Sequence, residues 1–262
     1  MEINKAFRYR IYPNKEQQNL MNRTFGSCRF VYNHFLNIWN ETYKETGKGL
    51  SYGKCSKQLP NLKSTYSWLK EVDSIAVQTA VKTLGEAYDR FFKKQNDKPV
   101  FKSRKHPVQS YTTKMTNNNI KVDGNKIKLP KLGWVRFAKS RDIEGRIMSV
   151  TVRRNSSGKY FMSVLTETEV TKLLKVNNTV GIDLGIKDFA SMSNGEVVAN
   201  PKYLRKYEEK LSKLQRVLSR KKIGSSNWHK NKNKLLNYTN KSAIFEMIFY
   251  INCPRSSFAR IK

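Results

Sequence analysis

The spacing of apolar residues changes period twice between residues 1 and 170, and that change restricts the possible folds more than any other feature. Residues 3–11 alternate between apolar and polar side chains, as a half-buried strand does. From about Lys15 to Glu45, and again from Ser74, apolar residues recur at helical spacing, which predicts two long helices. Alternation returns between residues 108 and 170. This order predicts a β module interrupted by a block of helices.

The β region contains two hairpin patterns. NIKVDGNKIKLP alternates around a turn at Asp123-Gly124, and SVTVRRNSSGKYFMSVLTE alternates around a turn at Ser156-Ser157-Gly158. Together with the N-terminal strand, these hairpins predict a small antiparallel barrel. The predicted fold class is therefore α+β.

The charge of the chain is strongly unbalanced. Its 262 residues include 51 Lys and Arg but only 20 Asp and Glu, a formal net charge of +31. Self-repulsion at this charge destabilises a compact chain, and a polyanion relieves it. An AT-rich genome would explain part of the lysine content but not the shortage of acids. The composition therefore favours a nucleic-acid partner.

Several other classes of protein are disfavoured. Cys28, Cys55 and Cys253 are widely spaced and lack C-x-x-C pairing, so we expect free thiols, no zinc site and a reducing cytoplasm. We expect a nucleoid association when the protein is bound to DNA. No signal peptide is visible, and the longest apolar run, IFEMIFYI, is too short to span a bilayer. We expect neither a membrane nor a small-molecule substrate.

Eight polar positions are candidates for nucleic-acid contact. Four lie on the polar faces of the two predicted helices, where an ordinary solvated face is the equally weighted alternative. The other four belong to a long basic helix predicted to begin at Pro201, where the shortage of acids favours phosphate contact over solvation. These positions are Arg29, Asn33, Gln78, Lys82, Lys202, Arg205, Lys206 and Lys210.

Asp183 stands in the turn sequence GIDLG, which has three interpretations. In a ribonuclease-H-like nuclease, this carboxylate would be a shared ligand of two Mg²⁺ ions. In an actin-like or heat-shock-type ATPase, the same residues would begin a phosphate loop, but that loop needs Thr or Ser where this chain has Ile186-Lys187. In the third interpretation, Asp183 only caps a turn.

The wider sequence changes this balance, because it resembles the TnpB (OrfB) family of insertion-sequence proteins from residue 1 to about 236. The stretches that carry the resemblance are YRIYPNKEQ, FGSCRFVYNHFLN, SYTTKMTNNNIKV, IKLPKLGWV, SGKYFMSVL, GIDLGIKDFASMSNGE and NPKYLRKYEEKLSKLQRVLSRKKIGSSN.

The resemblance implies a domain order. Residues 1–13 and 99–175 would form a wedge-like β-barrel, residues 14–98 a helical recognition insertion, and residues 176–236 the first part of a RuvC-like nuclease domain. It also implies an RNA-guided DNA endonuclease that uses Mg²⁺, with a guide RNA and a target DNA as partners. Asp183 matches the first catalytic acid of this family.

The family's other two acids, a Glu and a later Asp, and its zinc ribbon would lie downstream of the matched region. One carboxylate cannot hold two Mg²⁺ ions, because each requires near-octahedral oxygen coordination. We therefore expect a truncated, nucleic-acid-binding member with no cleavage of its own and no productively bound Mg²⁺. The alternatives are a nuclease that borrows acids from a second chain, a nuclease-dead RNA-guided repressor, and a DNA-binding transposase subunit.

The resemblance stops after Leu236, and the genetic code suggests why. A shifted codon forms when the third base of one codon is read with the first two bases of the next. In this shifted frame, Asn237-Tyr238 can encode only Leu and Met247-Ile248 only Asp. The shifted frame spells L-H-x-Q-x-x-x-x-R-x-D-x-L-H-x-L, which resembles the family continuation LHEKIANQRKDFLHKL. We infer a one-base frameshift near residues 230–234, which makes residues 237–262 an out-of-frame tail.

Overall fold

The computed structural model describes residues 1–171, 179–185, 187–200 and 203–240. The chain divides into two compact units, Met1–Lys172 and Leu173–Lys262. No helix within the described ranges is both long and apolar enough to cross a bilayer.

The first unit contains a seven-stranded antiparallel sheet, as the alternating sequence patterns predict. Its strands are β1 (Glu2–Tyr12), β2 (Gln109–Lys114), β3 (Lys121–Asp123), β4 (Lys126–Leu129), β5 (Gly133–Phe137), β6 (Arg146–Arg154) and β7 (Tyr160–Glu169). Their order is β2-β6-β7-β1-β5-β4-β3, so the N-terminal strand lies at the centre. Both predicted hairpins are present, with Gly124 and Gly158 at positive φ in the turns.

The predicted closure into a barrel is wrong: β2 and β3 remain the two edges of the sheet. Strand β1 pairs with β7 along residues 2–11 but with β5 only at Ile11 and Tyr12, so β3–β5 attach to one end of the sheet. Helices cover the buried face instead. Met21 and Phe25 from the first helix pack into the same core as Val152 and Met162 of the sheet.

The helical block follows β1. It comprises α1 (Lys15–Thr46), α2 (Tyr52–Thr65), a 3-10 helix (Ser67–Lys70) and α3 (Ser74–Phe92). The long first helix and the start of α3 are confirmed. The side chains of Asn14 and Gln17 form a reciprocal capping box at the N-terminus of α1, and Gly47 ends that helix at φ 67°.

Helix α2 is an element that the apolar periodicity does not predict, because Pro60 lies inside it and is typical of a helix break. It is held by tertiary packing: Leu59 and Leu62 are buried in a second core with Phe35 and Trp39 of α1. The Trp39 ring stacks on Tyr88 of α3 with centroids 4.0 Å apart.

The second unit contains three short antiparallel strands, β8 (Ile182–Asp183), β9 (Asp188–Met192) and β10 (Val197–Ala199), in the order β10-β9-β8. The sequence predicted two strands here. A third forms because the residues before β9 also pair with it, through Asp183 and Ser191. The basic helix α4 spans Tyr203–Ser219, and a further helix, α5, spans 226–240. The predicted starting residue, Pro201, lies outside the described residues.

Candidate nucleic-acid interface

The outward face of the first unit's sheet carries a row of arginines. In β1, Phe7, Tyr9 and Ile11 are buried, so strand alternation directs Arg8, Arg10 and Tyr12 to the opposite face. The register adds their neighbours, because residues directly opposite each other share a face: Phe161 lies opposite Arg10, Arg153 opposite Phe161, and Arg136 opposite Tyr12. We call Arg8, Arg10, Tyr12, Arg136, Arg153 and Phe161 the arginine face.

The arginines of this face stack on its aromatic rings. The guanidinium carbon of Arg8 lies 4.9 Å from the Phe161 centroid. Those of Arg10 and Arg136 lie 5.0 and 5.2 Å from the Tyr12 centroid. Stacking fixes the guanidinium planes and leaves their N–H groups free to bind phosphate oxygens or base edges.

No acid of residues 1–171 forms an ion pair with these arginines. The ion pairs within residues 1–171 involve other cations, namely Lys5, Arg23, Lys82, Lys139 and Arg146. Partial burial, and then the nearby charge of Arg153, lowers the pKa of Arg8. A partly desolvated cluster of like charges is stabilised by an anion, and the phosphate backbone of a nucleic acid supplies one.

Sequence reasoning missed the arginine face. The signal was available in part, because the strand alternation of RYRIY places two arginines and a tyrosine, Arg8, Arg10 and Tyr12, on one side. The contributions of Arg136, Arg153 and Phe161 could not be read in the same way, since pairing between distant strands brings them together.

Arg29 and Asn33 lie together on α1, where Asn33 holds the segment that connects α3 to β2 and Arg29 holds the first residue of β2. The Asn33 amide donates to the Lys102 carbonyl at 2.9 Å, and its side-chain oxygen accepts from the Lys102 backbone N–H at 2.8 Å. Arg29 donates to Oε1 of Gln109 at 2.9 Å. Burial, and then the charge of Arg104, lowers the pKa of Arg29.

Gln78 and Lys82 lie on the exposed face of α3, one turn apart. Lys82 is 3.6 Å from Glu86. Lys82 also contacts Lys114 of β2, and this contact, followed by burial, lowers the pKa of Lys114. The two ammonium groups share the single carboxylate of Glu86, so this site keeps a net positive charge that phosphate contact would stabilise.

The candidates on the basic helix are only partly described. Arg205 and Lys210 are exposed, and the Lys210 ammonium lies 4.9 Å from the Tyr238 centroid. Lys202 and the side chain of Lys206 lie outside the described residues. The described positions are open to solvent and compatible with phosphate contact.

Asp183 is exposed in β8, opposite Ser191 of β9. Glycine is favoured two residues later at Gly185, because a Cβ there would meet the Asp188 carbonyl oxygen at a tight 3.0 Å. Within the described ranges, no three His, Cys, Asp or Glu side chains converge on a point. The residues around Asp183 therefore do not fit a two-metal centre, and no cleavage step can be derived from them.

These features define a class: an α+β protein with a basic sheet face, unpaired with acids of residues 1–171, that is suited to nucleic acids. Comparison with known sequences gives the family. Two family profiles match, one described as "Helix-turn-helix domain" over residues 1–48 and one described as "Probable transposase" over residues 162–243. The chain belongs to the TnpB (OrfB) family of insertion-sequence proteins. Residues 1–48 contain strand β1 and the single long helix α1.

The chain spans a little under three fifths of the length of two curated relatives that it matches. It is 37% identical over 237 residues to "Putative RNA-guided DNA endonuclease InsQ" of Escherichia coli (strain K12), covering 88% of this chain and 58% of that protein. It is 33% identical over 239 residues to "Putative RNA-guided DNA endonuclease" of Streptomyces pristinaespiralis, covering 89% of this chain and 59% of that protein.

A solved structure shares the fold. The chain resembles a protein chain from the "Cryo-EM structure of the Cas12f1-sgRNA-target DNA complex" with a TM-score of 0.50 and 12% identity, covering 98% of this chain and 78% of that chain.

Proposed function

We propose that this chain is a nucleic-acid-binding protein of a transposable element, and that the arginine face binds the phosphate backbone of RNA or DNA. The observation that carries the proposal is the set of stacked arginines on one sheet face without a carboxylate partner in residues 1–171. The names of the relatives support a guide RNA and a target DNA as the partners.

The proposal includes the finer architecture that the family suggests. Residues 1–13 and 99–175 would act as a wedge-like domain, residues 14–98 as its helical recognition insertion, and residues 176–236 as the first part of a RuvC-like domain. The likeness to the Cas12f1 chain supports this order at the level of the fold.

We further propose that the chain binds without cutting. A RuvC-like centre needs several carboxylates around Mg²⁺. In the described residues, Asp183 is exposed and belongs to no cluster of three potential ligands. Binding without cleavage is also the chemistry that a nuclease-dead repressor would use.

The salt dependence of binding tests the proposal. Fluorescence anisotropy of labelled single-stranded RNA and duplex DNA, between about 50 and about 200 mM salt, yields the slope of log K against log salt. Replacing Arg8, Arg10 and Arg136 by Gln should reduce that slope by about 2 to 3, because each lost phosphate contact removes roughly 0.7 to 0.9.

A matched variant controls for net charge. Lys44, Lys48 and Lys57 are exposed on the helical block and outside the arginine face, and replacing them by Gln removes the same three charges. This control should keep most of the slope. Equal slopes for the two triple variants would show that net charge, rather than the arginine face, drives binding.

A further inference from the structure

A cavity of about 520 Å³ opens between α1, the segment that connects α3 to β2, and the adjoining edge of the sheet. Its volume lies within the range of pockets that hold small organic ligands. The residues on which the argument depends are Phe25, Arg29, Tyr32, Phe101, Lys102 and Arg153. Arg153 also belongs to the arginine face, so the cavity continues the basic surface of the sheet.

The wall of the cavity is held in place by side-chain hydrogen bonds. The Asn33 side chain binds both the backbone carbonyl and the backbone N–H of Lys102, as described above. The Gln109 side-chain amide donates to the carbonyl of His106 at 2.8 Å and to that of Ser103 at 3.3 Å. The connecting segment therefore has a defined conformation before any ligand binds, which lowers the entropic cost of binding.

The lining combines cations with aromatic rings and contains no acid. The Lys102 ammonium lies 3.9 Å from the Tyr32 centroid, and no Asp or Glu of residues 1–171 lines the cavity. Burial lowers the pKa of Lys102. An anionic group placed here would stabilise the charged form of this lysine together with Arg29 and Arg153.

The mouth of the cavity is apolar as well as basic. Phe101 and Val100, the two residues that precede Lys102, are 55% and 76% exposed. A phosphate alone would leave these side chains in water. A planar base joined to a phosphate would use both properties of the site, because bases stack on aromatic rings and phosphates bind cations.

We infer that this cavity binds one unstacked nucleotide of an RNA or DNA strand, with its base against Phe101 and its phosphate between Lys102 and Arg153. The inference rests on the proposed nucleic-acid binding and adds a site for a single nucleotide. A base inside a duplex cannot enter a pocket of this size, so the ligand is a single-stranded or flipped-out nucleotide.

Photo-cross-linking of the full chain to an oligonucleotide tests occupancy. A single-stranded oligouridine that contains 4-thiouridine should cross-link to a peptide within residues 99–109, and mass spectrometry locates the site. Phe101→Ala should reduce the yield about fivefold or more, because stacking on one aromatic ring contributes roughly 1–3 kcal/mol. Tyr43→Ala is the matched control, since Tyr43 is 56% exposed and does not line the cavity.

Titration with mononucleotides separates the sources of the ligand. We expect AMP or dAMP to bind, and Lys102→Ala and Phe101→Ala each to weaken that binding, while adenosine and inorganic phosphate bind less well. The difference between AMP and dAMP indicates whether the strand is RNA or DNA, since a site that contacts the 2′-hydroxyl distinguishes them.

The outcomes are distinguishable from those for the arginine face. Cross-links that map only elsewhere, or that persist unchanged in Phe101→Ala, would overturn the pocket while salt-dependent binding leaves the proposed function intact. If no oligonucleotide binds, the proposed function fails, and the mononucleotide titration then decides the pocket. Phosphate binding that is as strong as AMP binding would also overturn it.

Discussion

Replacing Asn33 by Ala should release the connecting segment from α1 without unfolding the protein. The side chain makes two hydrogen bonds, of 2.9 and 2.8 Å, to the backbone of Lys102. Each such bond contributes about 0.5–1.5 kcal/mol net, so the local stabilisation is about 1–3 kcal/mol. Because both bonds are exposed to solvent, the lower half of that range applies.

Hydrogen exchange at the Lys102 amide measures this effect directly. A loss of about 1–2 kcal/mol in the free energy of local opening accelerates exchange about five- to thirtyfold. Amides in the centre of α1 should keep their protection, since the hydrophobic core around Phe35 and Leu36 is unaffected. Global unfolding by denaturant should shift far less than the local exchange.

Asn37→Ala is the matched control. Asn37 lies one turn further along α1, and its amide donates to Glu41 of the same helix at 2.7 Å, so its loss should leave Lys102 unchanged. Unchanged exchange at Lys102 in Asn33→Ala would refute the clamp. A nucleic-acid affinity that falls while exchange stays the same would instead make Asn33 a direct contact, as the sequence allowed.

Three further predictions follow from other features. With a matching guide RNA and Mg²⁺, the chain should leave a target duplex uncut, because the described residues provide no cluster of metal ligands at Asp183. Asp183→Ala should give the same result, and guide-dependent cleavage that this substitution abolishes would contradict the prediction. Burial raises the pKa of the Cys28 thiol to about 12 and that of the Cys55 thiol to about 11. Iodoacetamide at about pH 8 should therefore label neither cysteine until denaturant is added. Rapid labelling of the folded chain would contradict this, because it would show that the fold opens locally and exposes these thiols. The frameshift hypothesis predicts that the nucleotide sequence downstream of codon 236 encodes, in the shifted frame, a family-like continuation with a Glu, zinc cysteines and an Asp. Immediate stop codons in that frame would refute the hypothesis.

The proposed tail begins inside a described helix, because α5 continues from Leu236 through Asn237 to residue 240. The rest of the tail from residue 241 onward lies outside the described residues.

The sequence by itself determined the elements whose signals are local. The capping box of α1 involves residues three apart, its apolar stripe repeats within each turn, and each hairpin turn lies between strands that are adjacent in the chain. Contacts between near neighbours are readable because backbone geometry alone sets which side chains meet. Family membership was also readable, because it depends on residue identity.

Only the tertiary structure decided where distant segments meet. Arg10, Phe161 and Arg153 share one face because β1 pairs with β7 and β7 with β6, a register that no local pattern specifies. The sheet stays open because α1 and α3 fill its buried face, which the alternation of the strands cannot indicate. The clamp between Asn33 and Lys102 depends on the same packing. In each case the deciding free energy comes from burial between segments far apart in the chain, and a sequence pattern records only the tendency of each segment to be buried.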